Sequence, residues 1–112
     1  MKHIRFEQRR NRVRAKVIGT ESRPRLHAFR SLTGIYGQII NDEKGVTMVS
    51  VSSKEIKDAK SKVDVAFKAG ELIAEKAKKA KITQVVFDKS GYKYHGRIKA
   101  FADGARKGGL SF

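Results

Sequence analysis

Residues 24–52, PRLHAFRSLTGIYGQIINDEKGVTMVSVS, decide the fold. Pro24 pushes Arg23 toward an extended backbone, so folded structure is expected to begin there. Strand-like segments follow at 25–31 (RLHAFRS), 35–41 (IYGQIIN) and 46–52 (VTMVSVS), separated by turns that carry Gly34 and Gly45. Strands this close in sequence, joined by short glycine-bearing turns, pair as a three-stranded antiparallel meander.

The chain beyond the meander reads as helices with one more strand between them. Ser52-Ser53-Lys54-Glu55 has the capping-box pattern and predicts a short helical turn near 54–59. Ser61 and Asp64 repeat it ahead of a longer helix at about 62–80. Its apolar face is Val63, Ala66, Phe67, Gly70, Ile73, Ala74 and Ala77, at helical spacing. Lys76, Lys78, Lys79 and Lys81 suit the negative end of its dipole, and Glu75 can pair with Lys79 one turn on. Gln84-Val85-Val86-Phe87 is a short apolar run of the kind that forms a strand covered on both faces. A last helix at about 97–107 places Ile98, Phe101, Ala102 and Ala105 on one side, and Gly108-Gly109 ends it. Gly104 inside it costs about 0.8–1 kcal/mol relative to alanine. The order βββαβα defines an α/β chain of the α+β-like kind, with a mixed sheet and two main helices packed on it. Residues 23–112 form the globular domain, and residues 1–22 a basic arm with its linker.

At 112 residues and 12.6 kDa the chain is one domain. A chain this size buries roughly two-thirds of its extended surface, enough for a core without cross-links. It contains no cysteine, which removes disulfides, thiolate zinc sites and cysteine nucleophiles together. No apolar run approaches the roughly 20 residues of a membrane span. The start, MKHIRFEQRR, has no apolar core like that of a signal peptide, so an intracellular protein without a membrane partner is expected.

Charge is the dominant feature. Lys and Arg number 26 against 11 Asp and Glu, a net +15, which repels itself in the compact state and suits a polyanionic partner. Residues 1–30 carry ten basic and two acidic side chains, and eight of the ten are arginine; residues 31–87 carry ten lysines and seven acids. Arginine offers a rigid fork of donors that matches phosphate, whereas lysine is a hydrated point charge common on solvated helix faces. The middle lysines therefore read as ordinary surface, and the two ends as the binding surface. On a helical wheel Arg5, Arg9, Arg12 and Lys16 share a sector of about 60°. Arg10 and Arg14 lie beyond the thin stripe of Phe6, Val13 and Val17. An arm of this kind becomes helical on a polyanion. Its apolar face, with no Leu or Trp, is too thin for a membrane-surface helix.

The segment Asp88-Lys89-Ser90-Gly91-Tyr92-Lys93-Tyr94-His95-Gly96-Arg97 joins the last strand to the last helix, a position where α/β sheets bind ligands. Aromatic rings there can stack on bases or ribose while Lys89, Lys93, His95 and Arg97 meet phosphate. One of the two tyrosines is also suited to covering the core edge. Arg30, Ser31 and Tyr36 make a second basic-aromatic hairpin, for which a plain turn and an RNA-facing one fit equally. Catalysis would have to use Asp88 with His95. The loop, however, has no nucleophile in a recognisable turn, no phosphate-binding Gly-Lys-Ser/Thr motif and no second carboxylate. His3 and His27 are isolated, so no metal cluster and no cofactor is expected. Charge alone would also allow a small DNA-compacting protein, but neither a recognition helix nor an intercalating wedge is visible.

The strings RPRLHAFRS, IYGQIIND and above all VVFDKSGYKYHGRIKAFADGARKGGLSF resemble the bacterial large-subunit ribosomal protein L-eighteen family, and the similarity runs over nearly the full length. The resemblance implies a non-catalytic, cytoplasmic ribosomal protein that binds 5S rRNA and helps dock it beside 23S rRNA in the central protuberance. Neighbouring ribosomal proteins would be its other partners, and the free protein would be a monomer. It implies RNA contacts from the arm, from Arg23 and Arg25, from Arg30, Ser31 and Tyr36, and from Lys89, Tyr92, Lys93, Tyr94, His95 and Arg97. Three positions depart from the family pattern. Lys89 stands where arginine is frequent, Gly34 where a larger side chain, often histidine, is usual, and Gly104 where alanine is usual.

Overall fold

The computed structural model describes residues 18–31, 34–90 and 92–112. The expectations for residues 1–17, including Arg5, Arg9, Arg10, Arg12, Arg14 and Lys16, lie outside the described residues. Strands β1 (Arg25–Arg30), β2 (Ile35–Asn41) and β3 (Val46–Ser52) form the meander, and β4 (Val86–Asp88) completes a four-stranded sheet in the order β3-β2-β1-β4. The β1–β2 and β2–β3 pairs are antiparallel, while β4 lies parallel to β1 with Leu26 opposite Phe87. Helices α1 (Lys62–Lys79) and α2 (Gly96–Lys107) pack on one face of this mixed sheet.

Alternation along the strands sorts the two faces. Leu26, Ala28, Ile35, Ile39, Val49 and Val51 point into the core, where they meet Ile73, Ala77, Ile98 and Phe101 from the helices. Phe101 is fully buried, and its ring lies where a side chain at Gly37 would be. Small residues line the facing sides of the two helices. A Cβ at Gly70 would collide with the Phe101 carbonyl, and one at Gly104 with the Phe67 carbonyl. The two backbones therefore touch at their crossing. This changes the meaning of Gly104, whose lost propensity is the condition for close helix packing. Gly104→Ala should lower stability by about 1–3 kcal/mol through overpacking, overriding the gain of about 0.8–1 kcal/mol that propensity alone would give. A higher melting temperature for this variant would show that the crossing opens freely.

Several boundaries differ from the sequence expectation. The turn after β3 is a 3₁₀ turn over Ser53–Glu55 only; the Ile56 N–H closes it on the Ser53 carbonyl (3.0 Å), and Ile56 then packs back on the core. Its capping box is formed: the Ser52 hydroxyl accepts from the Lys54 N–H (3.2 Å), and Glu55 accepts from the Ser52 N–H (2.7 Å). Glu55 also takes a bond from Lys76 Nζ (2.7 Å), which, with the Ser52 bond, holds its carboxyl below the ordinary value. A depressed carboxyl stabilises the fold above its unfolded pKa, and that stability is lost as pH falls through the folded value. In α1 the buried stripe is Ala66, Ala69, Gly70, Ile73, Ala74 and Ala77; Val63, expected in it, is 51% exposed, the first turn being uncovered among the described residues. The last strand is an edge strand shifted toward Asp88, and Phe87 is half-buried, stacked on Phe112 (5.4 Å). Its neighbour Val85 is the buried residue, donating its N–H to the Ser111 carbonyl (3.1 Å).

Candidate nucleic-acid interface

The loop that follows β4 is fastened at its root by charge. Asp88 is fully buried, and its Oδ2 accepts from Arg25 Nη1 at 2.7 Å while its Oδ1 accepts from the Ser90 N–H at 2.8 Å. Arg25 also forks onto Asp42, with Nε and Nη2 donating at 3.0 and 3.1 Å. The Gly19 N–H reaches the same carboxylate, so the chain docks on the domain before Pro24. Burial works against the Arg25 charge, but hydrogen bonds and attraction from Asp42 and Asp88 outweigh it and raise its pKa. Arg25 thus ties three segments together from inside. Ser90, buried and bonded to Asp88, adopts φ 56°, in the left-handed region.

From this root the two tyrosines diverge. Tyr92 turns toward β1: its hydroxyl donates to the Arg30 carbonyl (2.8 Å), the Arg30 guanidinium lies 5.2 Å above its ring, and the ring packs on the core edge. Tyr94 turns the other way, meeting Phe87 edge-on at 6.1 Å and accepting from Arg106 Nη1 at 2.8 Å, with 37% of its surface exposed. Between the loop and β1 opens a cleft of about 290 Å³ lined by Arg30, Tyr92, Lys93, His95, Gly96 and Ile98. The structure therefore brings Arg30 from the hairpin together with Tyr92, Lys93 and His95 from the loop, across more than sixty residues of sequence. Ser31 sits exposed at the end of the hairpin, its N–H bonded to the Gly34 carbonyl (2.8 Å). Lys89 is half-buried, Arg23 lies exposed before β1, and Arg97 occupies the first turn of α2.

The sheet face away from the helices adds His27 and Phe29 to Tyr36, the only one of the three that the sequence marked as a site residue. His27, Phe29 and Tyr36 form a continuous stack, His27 on Phe29 at 5.3 Å and Phe29 on Tyr36 at 5.1 Å, with planes inclined by 28° and 17°. The signal was present: His27 and Phe29 alternate on one strand, and Tyr36 stands opposite Phe29 in the antiparallel register. A second addition is Lys54 with Lys62, which lie beside Arg97 although both belong to the lysine-rich middle of the chain. Among the described residues no group of histidine, aspartate and glutamate could hold a metal ion, and no helix is long and apolar enough to cross a membrane.

Cations beside aromatic rings, carried on a packed α/β core, define a small polyanion-binding module. Over residues 1–112 the chain matches the family described as Ribosomal L18 of archaea, bacteria, mitochondria and chloroplast. It is 55% identical to the large ribosomal subunit protein uL18 of Listeria monocytogenes serotype 4a (strain HCC23) over 108 residues, covering 95% of this chain and 91% of that one. It is 55% identical to the uL18 of Mycoplasma mycoides subsp. mycoides SC over 117 residues, covering both chains fully, and 51% identical to that of Chloroherpeton thalassium over 115 residues, covering 99% and 96%. The chain belongs to the L18 family of large-subunit ribosomal proteins. It is a structural, RNA-binding constituent of the cytoplasmic ribosome and not an enzyme, with ribosomal RNA and ribosomal proteins as its partners.

Proposed function

We propose that this protein binds 5S rRNA and helps attach it to 23S rRNA in the central protuberance, beside neighbouring ribosomal proteins, and that it is a monomer when free. The supporting observation is how its cations are paired. Lys68, Lys76, Lys79, Lys99 and Lys107 sit on the helices with a carboxylate within 4 Å, whereas Arg30, Lys89, Lys93 and Arg97 have no such partner among the described residues. Positive charge left uncompensated beside Tyr92 offers phosphate contacts with a stacking surface close by. The arm arginines Arg5, Arg9, Arg10, Arg12 and Arg14 with Lys16, together with Arg23, extend the same chemistry. Ser31 and His95 supply further hydrogen-bond donors at its edge. Arg25 serves the site by holding Asp88.

If six to eight phosphates are neutralised, log affinity for 5S rRNA should fall against log salt with a slope of about −4 to −7. Titration at several salt concentrations, with duplex DNA at matched salt as comparison, reads this directly. A slope shallower than about −2, or equal affinity for the duplex, would overturn the reading.

A further inference from the structure

We propose that a second cleft, between Lys54 of the 3₁₀ turn, Lys62 at the start of α1 and Arg97 of α2, receives a further stretch of the 5S rRNA backbone. The proposal rests on the RNA-binding reading above and deepens it. The cleft has a volume of about 230 Å³ and an apolar floor that includes Ile35 and Val65. That is smaller than the roughly 300–1,000 Å³ of sites that enclose small molecules. A floor of this kind with a cationic rim suits the edge of a ribose-phosphate chain, with the sugar on the aliphatic surface and phosphate on the rim.

The charges around it are arranged to stay uncompensated. No carboxylate lines the cleft, and none of its three cations has an acidic partner among the described residues. Acids do flank the two lysines in sequence, but both are drawn elsewhere. Glu55, next to Lys54, is held by Lys76 and the Ser52 N–H. Asp64, two residues after Lys62, accepts from the Lys60 N–H (3.0 Å) and pairs with Lys68 (3.6 Å). Three like charges gathered in one groove repel one another, and a polyanion relieves that repulsion. Gly34 keeps the mouth open. A Cβ there would run into the Ser53 hydroxyl, which accepts from the Ile35 N–H at 3.1 Å and fixes the turn.

The position extends the first cleft. Gly96 and Ile98 line the one beside Tyr92, and Arg97 between them lines this one, so the two clefts flank the first turn of α2. The cations form a track from Arg30 and Lys93 through Arg97 to Lys54 and Lys62. Two lysines there act as point charges on phosphate and read no base.

The test is Lys54→Ala with Lys62→Ala in the full chain, against Lys78→Ala with Lys79→Ala as control. The control pair removes the same formal charge about 24 Å further along α1, at 1.5 Å per residue. Losing two phosphate contacts should weaken 5S rRNA binding about tenfold or more near 0.1 M salt and flatten the salt slope by about 1.4–1.8. The control should stay within about twofold of the parent with its slope unchanged. Circular dichroism of both variants should match the parent, since all four side chains are on the surface. Parent-like affinity and slope in the cleft variant would overturn the proposal, as would an equal loss in the control, which would mean that net charge alone matters. A parent chain that fails to bind 5S rRNA would instead overturn the functional reading itself.

Discussion

A chain beginning at Ile18 should melt close to the full protein and bind 5S rRNA weaker by about two orders of magnitude or more. Among the described residues, the buried apolar side chains that build the core all follow Pro24, from Leu26 in β1 to Leu110 after α2. Starting at Ile18 keeps the Gly19 N–H on Asp42, beside the Arg25 fork. Residues 1–17 contain seven basic side chains and one acid. If four to six of them neutralise phosphate, their loss should flatten the salt slope by about 3–5. Thermal melting and 5S rRNA titration at two salt concentrations check both halves. Failure to fold would place part of the arm in the core. Unchanged affinity and slope would assign the arm to another partner, 23S rRNA being the natural one.

Replacing Arg25 by methionine should destabilise the domain by about 3–5 kcal/mol, the range for breaking one side of a buried ion pair. The side chains of Arg25 and Asp88 are 14% and 0% exposed, so the variant takes the guanidinium away from a carboxylate held in the interior. Against a total stability of about 5–15 kcal/mol that loss is large. Methionine keeps most of the aliphatic bulk, which isolates the charge from the packing. Adding Asp88→Asn should recover part of the loss, because the uncompensated charge is gone. Urea denaturation of the single and double variants reads these differences. A single-variant loss below about 1 kcal/mol would mean that water reaches Asp88 and that the network does not anchor the loop.

Much of the fold could be read from local pattern. The meander is legible because Leu26, Ala28, Ile35, Ile39, Val49 and Val51 alternate with polar or half-buried neighbours, and glycine marks the turns. The capping box at Ser52 and Glu55 is legible because both partners lie within one turn. Errors arose where a third element decides the outcome. Val63 continues the apolar period, yet no element among the described residues covers it. Phe87 looks like a strand residue buried on both faces, but β4 took the sheet edge. Gly104 looks like a weak helix position until the Phe67 carbonyl is seen against it.

The candidate site follows the same division. The loop from Asp88 to Arg97 announces itself by composition, and the hairpin around Arg30 nearly so. Arg25 carried the same signal as its neighbours, yet its fork closes on Asp42 and Asp88 inside the protein, a distinction that side-chain type cannot make. Lys54 and Lys62 carried the opposite signal, a lysine among acids. Only the pairing of Glu55 with Lys76 and of Asp64 with Lys68 shows that those acids are engaged elsewhere.

The parallel seating of β4 on β1 carries a consequence for the order of events during synthesis. Arg25 and Asp88 meet across 63 residues, and Gln84 pairs with Ser111 near the far end of the chain. Contacts between segments so far apart close slowly, because the long loop must be ordered before they form. The meander and α1 can assemble while the chain is still emerging, but the loop after β4 gains its anchor only when β4 arrives, and β4 is braced only when Ser111 does. A chain that has not yet reached Ser111 thus offers polyanions its charge without the braced loop after β4.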